Sequence, residues 1–194
     1  SELPVWLEVF IGLLLLDLIG AYTPHWLEHK LKPLWMIHLV HHSDHHVDTT
    51  TANRHHPLES FIRFGFTLLG VFLVGTNIGI IMLYQSISLI STQFTHANIK
   101  LPKKIDLYLS YLFVSPDMHK THHHYRLPYT DANYGNIFSI WDRAFGTYLP
   151  FDREKLIYGV DVFYDEEANG QIKKLLKQPF QQYSKPTLTP KTEA

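Results

Sequence analysis

Two apolar blocks set the pattern of the chain, and a histidine-rich polar sequence lies between and after them. Residues 5–22 (VWLEVFIGLLLLDLIGAY) are interrupted only by Glu8, Asp17 and small or hydroxyl-bearing residues near the end. At about 1.5 Å per residue this run nearly crosses a hydrocarbon core of about 30 Å, which predicts a membrane helix. A carboxylate facing lipid is costly, so Asp17 is expected to face protein. The second block, residues 61–94, is broken by Gly75-Thr76-Asn77-Ile78-Gly79, a run that favours a turn. A single crossing would put the histidines at 25–56 and at 96–123 on opposite faces, whereas a hairpin brings them to one. Its arms are expected to hold about 14 to 17 residues, roughly 21 to 25 Å, reaching deep into the bilayer.

Beyond the hairpin, a helix is predicted over residues 104–114, suited to an interface or to packing on a bundle. Residues 125–150 read mostly as loop. A charged helix is expected over residues 166–177, ended by Pro179, and then a disordered Ser/Lys/Pro/Thr tail. The chain opens at Ser1 and moves almost at once into an apolar run, which reads as a piece of a longer protein lacking upstream membrane helices. Lys30, Lys32, Arg54, Arg63, Lys100, Lys103 and Lys104 flank the apolar blocks on the side where the hairpin puts the histidines. By the positive-inside rule that side is cytoplasmic.

Composition narrows the chemistry. With 17 basic and 18 acidic residues and a formal charge of -1, no basic field is available for nucleic acid. The absence of cysteine excludes disulfides, thiolate metal sites and thiol nucleophiles. Any metal is held by nitrogen or oxygen. Of the 14 histidines, only His96 stands apart from the clusters at 25–56 and 119–124.

Three clusters have metal-ligand spacing: His25 and His29 as H-x-x-x-H, His38, His41 and His42 as H-x-x-H-H, and His119, His122 and His123 as a second H-x-x-H-H. Positions i, i+3 and i+4 share a helix face, so each cluster can aim two or three imidazoles at one point. Pro33 breaks the helix between the first two clusters and lets the second be re-aimed. Eight buried imidazoles are hard to explain as packing, since each ring needs partners for both nitrogens. They also exceed the roughly four ligands one zinc accepts, which implies two metals. Imidazole suits several metals; an oxygen-activating pair with an open position, next to a membrane, favours iron.

These residues carry a resemblance. The run from Asp17 through Glu59, with eight residues between His29 and His38, resembles the sterol desaturase / fatty acid hydroxylase superfamily. So do Arg54-x-His56-Pro57-x-Glu59, Thr95-His96-Ala97-Asn98, Pro116-Asp117-Met118-His119, Asp131-x-Asn133-Tyr134-Gly135-Asn136 and Trp141-Asp142-Arg143. The resemblance covers about residues 15–150. It implies an all-α integral-membrane helical bundle with a cytosolic histidine-rich cap holding a dinuclear metal site. Residues 1–150 would be the hydroxylase core and 151–194 a C-terminal extension. The family pattern makes His25, His29, His38, His41, His42, His119, His122 and His123 ligands of two iron ions, adds His96 and His56, and gives Asp131 and Asn133 the role of holding ligand rings through their second nitrogens. His45, His46, His55 and His124 fall outside the boxes, as surface residues or as supports for ligands. One departure is Trp26, where the family often has arginine.

The reaction implied is dioxygen-dependent oxidation of a lipid C–H bond, with electrons from a separate NAD(P)H-dependent donor protein. Hydroxylation is the preferred outcome, and desaturation by the same site is the alternative. His25-Trp26-Leu27-Glu28-His29 also fits the H-x-x-E-H of inverted zinc peptidases, but that leaves both H-x-x-H-H boxes without a task. A histidine-rich storage or pH-sensing protein is disfavoured by the fixed spacings.

Overall fold

The first apolar block forms a helix that runs well past its apolar stretch. In a computed structural model describing residues 3–160 and 169–182, α1 (Val5–Asp17) widens into a π-turn at Leu18–Tyr22 and continues as α2 (Thr23–Lys30). The cause of the wide turn is local: the ring of Pro24 would collide with the Gly20 carbonyl in a regular helix, and proline offers no amide hydrogen. The Thr23 hydroxyl donates to the Leu18 carbonyl at 2.8 Å. Leu31 is extended, and α3 (Lys32–His42) starts with Pro33 in its first turn, so the proline re-aims the chain as the sequence predicts.

The hairpin is α4 (Pro57–Val74) and α5 (Ile78–His96). Gly75 at φ 62° closes α4 in the left-handed conformation, and the Asn77 side chain caps α5 by accepting from the Ile80 amide at 3.1 Å. Its arms, at 18 and 19 residues, are longer than the sequence pattern indicates, because polar turns at the histidine end remain helical. That makes each about 27 to 28 Å long. Together with the 26-residue helix Val5–Lys30, these are three helices long and apolar enough to cross a membrane. Their outward faces carry large exposed apolar side chains, Phe61, Phe64, Leu68 and Phe72 on α4 among them. This is an integral membrane protein.

α1 packs on both hairpin arms. The contact is close at Gly12, where a Cβ would come within 2.8 Å of the Ile80 side chain, as is common where membrane helices cross. Asp17 is fully buried and accepts from the Ile137 and Phe138 amides and the Trp141 indole at 3.1 to 3.2 Å, facing protein as expected.

Among the described residues the rest is short and helical, with no strand. α6 (Lys103–Leu109) stops before the expected residue 114, and its exposed Ile105, Leu107 and Tyr108 suit an interface. α7 (Pro116–His122) carries the last box. The segment 125–150, read as loop, contains a 3-10 turn at Tyr129–Asp131 and α8 (Ile140–Ala144). The first residues of the expected tail helix, 166–168, lie outside the described residues; Asn169 is helical, Gln171 is extended and interrupts the helix, α9 is Ile172–Lys177, and Pro179 lies in a 3-10 turn packed on α3. Residues 161–168 and the tail beyond 182 lie outside the described residues.

Candidate metal centre

The C-terminal ends of α2 and α5 and the N-terminal end of α4 lie at the same end of the apolar helices, and α3 and α7 close over them. Nine histidines meet there in two groups. His25, His29, His38, His42 and His122 each offer a ring nitrogen, all within 4.8 Å of one another; His41, His96, His119 and His123 do the same. Each H-x-x-H-H box is divided between the groups: His38 and His42 go to the first and His41 to the second, while His119 and His123 go to the second and His122 to the first. On a helix, positions i and i+4 lie about 40° apart and i+3 about 60° to the other side. A triad therefore serves two points, which corrects the expectation of one point per cluster.

The donor set fits metal ions. The Nε2 atoms of His25, His29, His38, His42 and His122 are buried with no hydrogen-bond partner. In the second group the His96 Nε2 faces those of His41, His119 and His123 at 3.0 to 3.3 Å, where too few protons exist to satisfy them all. Burial, reinforced by neighbouring imidazoles, holds His41, His42, His119 and His123 well below the ordinary histidine range. His122 falls to about 3 through burial, despite the opposing hydrogen bond to Ala132. Such rings stay neutral near pH 7, as ligation requires.

Outward ring nitrogens are held from behind. His25 and His122 bond through Nδ1 to the Tyr134 and Ala132 carbonyls at 2.8 and 2.6 Å, His38 to Glu59 at 2.8 Å, His41 to the Thr51 carbonyl at 3.1 Å and His96 to the Thr92 carbonyl at 2.8 Å. Glu59 also receives His55 and Arg63, and Arg63 reaches Glu28 at 2.6 Å. His38, His55 and Glu59 are close enough to read as a third ion site, but both Nδ1 atoms point at the carboxylate, so the trio is a hydrogen-bonded support. Arg63 and Arg54, counted among the flanking charges, are tied into this cap; Arg54 bonds to the Val40 and Asn169 carbonyls.

Three sequence expectations land differently. His56 is outside both groups: its Nδ1 accepts from the Leu58 amide, capping α4, and its Nε2 lies 3.3 Å from the Leu176 carbonyl. Asp131 and Asn133 touch no histidine ring. Asp131 accepts from the Tyr134 hydroxyl and pairs with Lys30, and Asn133, at φ 58°, bonds to the Met118 and Leu149 backbone. The residues on either side of Asn133 hold the rings instead, through backbone carbonyls. The sequence pattern assigned no part in the metal centre to Glu59, Arg63 or Trp35, whose indole lies 4.7 Å from the His29 ring and 5.3 Å from His42. An acid and an arginine in the first turns of an apolar helix were the available signal.

A cavity of about 290 Å³ lies against this centre, lined by His25, His41, His96 and His119 at one end and by side chains of α4 and α5 along its length. A second, of about 240 Å³, reaches His29 and Trp35 from the side of Tyr125 and Leu127.

A family model described as fatty acid hydroxylase matches residues 9–147. The chain is 26% identical over 149 residues to ornithine lipid hydroxylase OlsE of Rhizobium tropici, covering 76% of this chain and 44% of that protein. It is 32% identical over 157 residues to alkylglycerol monooxygenase of Danio rerio, covering 80% and 32%. It is 28% identical over 159 residues to methylsterol monooxygenase 2-2 of Arabidopsis thaliana, covering 80% and 59%. The chain thus spans from about a third to three fifths of the length of these curated relatives. No solved structure matches it.

Proposed function

The chain belongs to the fatty acid hydroxylase family, and from that premise we propose that it is the core of a membrane oxygenase that hydroxylates a C–H bond of a lipid. The observation carrying this reading is the pair of buried imidazole groups, nine histidines in all, bordering a cavity between membrane helices. The five-histidine group and the four-histidine group would each hold one iron ion. When bound, the irons supply activation of dioxygen for attack on an unactivated C–H bond.

The chain's own residues prepare that chemistry. Glu59 and the carbonyls of Ala132 and Tyr134 fix ring orientation and leave the Nε2 atoms of His38, His122 and His25 aimed inward. Arg63 ties Glu28 and Glu59 together, with its guanidinium 2.6 Å from the first and 3.1 Å from the second. Glu28, the base of the zinc-peptidase alternative, is engaged by this guanidinium. The cavity between the π-turn at Leu18–Tyr22, α4 and α5 receives substrate from the bilayer and holds the reacting carbon beside the four-histidine group. Electrons arrive from a separate NAD(P)H-dependent donor protein on the cytoplasmic side, where Trp35 packs against His29 and His42.

The test uses the full-length protein in membranes. Iron analysis is expected to give two ions per chain, and lipid extracts incubated with heavy-isotope dioxygen and reductant should gain one labelled oxygen atom. A single zinc per chain, or lipid extracts unchanged by an iron-loaded protein, overturns the reading.

A further inference from the structure

α6 and the turn that follows it are built inside out. Asp106 and Ser110, one turn apart, face the protein and are buried. The Asp106 carboxylate accepts from the Ser115 hydroxyl at 2.7 Å and from the Asp117 amide at 3.1 Å, and so holds the start of α7. The outward side chains are apolar or aromatic: Ile105, Leu107, Tyr108, Tyr111, Leu112 and Phe113 are between 41 and 71% exposed. A helix on the surface of a water-soluble domain does the reverse, burying its apolar stripe and showing its polar one. Such a face is made for a partner or a membrane.

Its position along the membrane helices decides between them. Phe113 pairs with Phe138 and stacks on that ring at 5.7 Å. Phe138 packs in one cluster with Leu16 of α1 and Ile80 and Tyr84 of α5, and its amide donates to Asp17. Leu16 lies nine residues before His25, and Tyr84 twelve before His96. The Phe113–Phe138 pair is therefore about 13 to 18 Å from the histidines along the helix axes. At comparable depth the spanning helices already show Leu15, Leu68 and Leu89 outward. Phe145, also exposed, stacks on Tyr22 at 5.4 Å, somewhat nearer the histidines. The apolar face thus continues the lipid-facing sides of the spanning helices. Arg143, beside it, donates to the Ser110 carbonyl at 2.9 Å and lies over the rings of Tyr111 and Tyr148, which screen its charge.

We propose that α6, residues 111–113 and Phe145 are inserted into the bilayer leaflet at the histidine end, with their outward side chains among acyl chains. Lys103 and Lys104, both exposed at the start of α6, then stand at headgroup level, and the tyrosines lie near the boundary that aromatic residues favour. Through Asp106 the leaflet gives a fixed footing to α7, which carries His119, His122 and His123. This insertion requires only the membrane placement of the three long helices, whatever reaction the centre performs.

The test uses the full-length protein in lipid nanodiscs. Nitroxide labels are placed on Tyr108→Cys, Leu112→Cys and Phe145→Cys, with Leu68→Cys on α4 and Lys173→Cys on α9 as references. This chain supplies no competing cysteine, and any outside it is first replaced. Collisions with dissolved oxygen, which concentrates among acyl chains, are expected to outnumber those with a water-soluble nickel chelate at the three sites as at Leu68, and the order should invert at Lys173. A phospholipid with a diazirine on its acyl chain should also label residues 105–113 of the unsubstituted protein. A surplus of nickel collisions at Tyr108 or Leu112 overturns the proposal, since the face then stands in water. Low access of both reagents there overturns it too, because polypeptide covers the face: a second copy where dilution with unlabelled protein narrows the spectra, another part of the same protein where it does not. Where a cysteine variant does not fold, the photolabel decides, and α4 labelled without residues 105–113 is the refuting result. Nickel access at Leu68 would instead refute the membrane placement itself.

Discussion

In the five-histidine group the rings are held from distant parts of the chain: His25 by the carbonyl of Tyr134, 109 residues away, and His38 by Glu59, 21 residues away. In the four-histidine group His96 is held by the carbonyl of Thr92 on its own helix and His41 by the carbonyl of Thr51, ten residues away, and the outward nitrogens of His119 and His123 are buried without a partner. Three of the four-histidine rings border the larger cavity, and only His25 of the other group does. On the proposed assignment, one metal sits in a frame cross-linked through the whole cap and the other faces the substrate in a more locally built frame. Folding must be complete before the first frame exists, whereas the second takes its ring orientation from partners no more than ten residues away.

The sharpest way to break this comparison is to remove a ring from each group on the same helix. His119→Ala and His122→Ala should each lower cobalt stoichiometry from two ions to one, with loss of turnover exceeding the roughly hundredfold that outer partners cost. The surviving cobalt spectrum should differ between the two variants. Identical residual spectra would mean that the boxes are not divided between two centres. Next in size is Glu59→Gln. A neutral amide oxygen cannot serve His38, His55 and Arg63 as the carboxylate does, and metal affinity of the five-histidine group should fall about ten- to a hundredfold. The second group should keep its affinity, and parallel metal titrations check both.

Much of this was legible in the residues. The three apolar helices, the hairpin that brings both histidine regions to one side, the inward Asp17 and the proline break between the first two boxes all follow from hydropathy and turn chemistry. Nine of the ten histidines singled out as ligands come together. The tenth, His56, fits the family pattern, but its position directly before Pro57 makes it a helix cap, and a cap's ring is committed to the backbone. Asp131 and Asn133 illustrate a further limit. A polar side chain near a metal site suggests a side-chain hydrogen bond, yet the partners used are backbone carbonyls, which carry no sequence signal. What the sequence does show is the residue type that bends the chain there: Asn133 accepts a positive φ readily, and so turns its neighbours' carbonyls toward the rings.

That bend is held by Asp142, whose carboxylate accepts from the Tyr134 and Gly135 amides at 2.7 and 2.8 Å and from Thr147. Burial pushes its pKa up from 3.8 to about 6, against those hydrogen bonds. A raised folded-state value means that the folded chain binds the proton more tightly than the unfolded one. The resulting stability is present below pH 3.8 and is lost as pH rises to about 6, by up to about 3 kcal/mol. Since Asp142→Asn removes the titration, the wild-type minus variant difference in unfolding free energy of metal-free protein should decline across that window and be level above it. A flat difference from pH 4 to 6 would show that the carboxylate is ionised throughout.

The smallest effect is expected at Thr92→Val. The carbonyl that holds His96 belongs to the backbone and survives the substitution; what is lost is a hydroxyl bonded to Asn136 and to the Ser88 carbonyl. Valine keeps the shape of threonine and fits a membrane helix, so stability should change by about 1 kcal/mol, the value of one hydrogen bond. Metal affinity of the four-histidine group should stay within about threefold, far from the ten- to hundredfold loss that follows when a real outer partner is removed. Cobalt titration of the variant measures this directly. A tenfold loss would mean that His96 depends on the Asn136 contact across to the next segment, and that the second frame is cross-linked like the first.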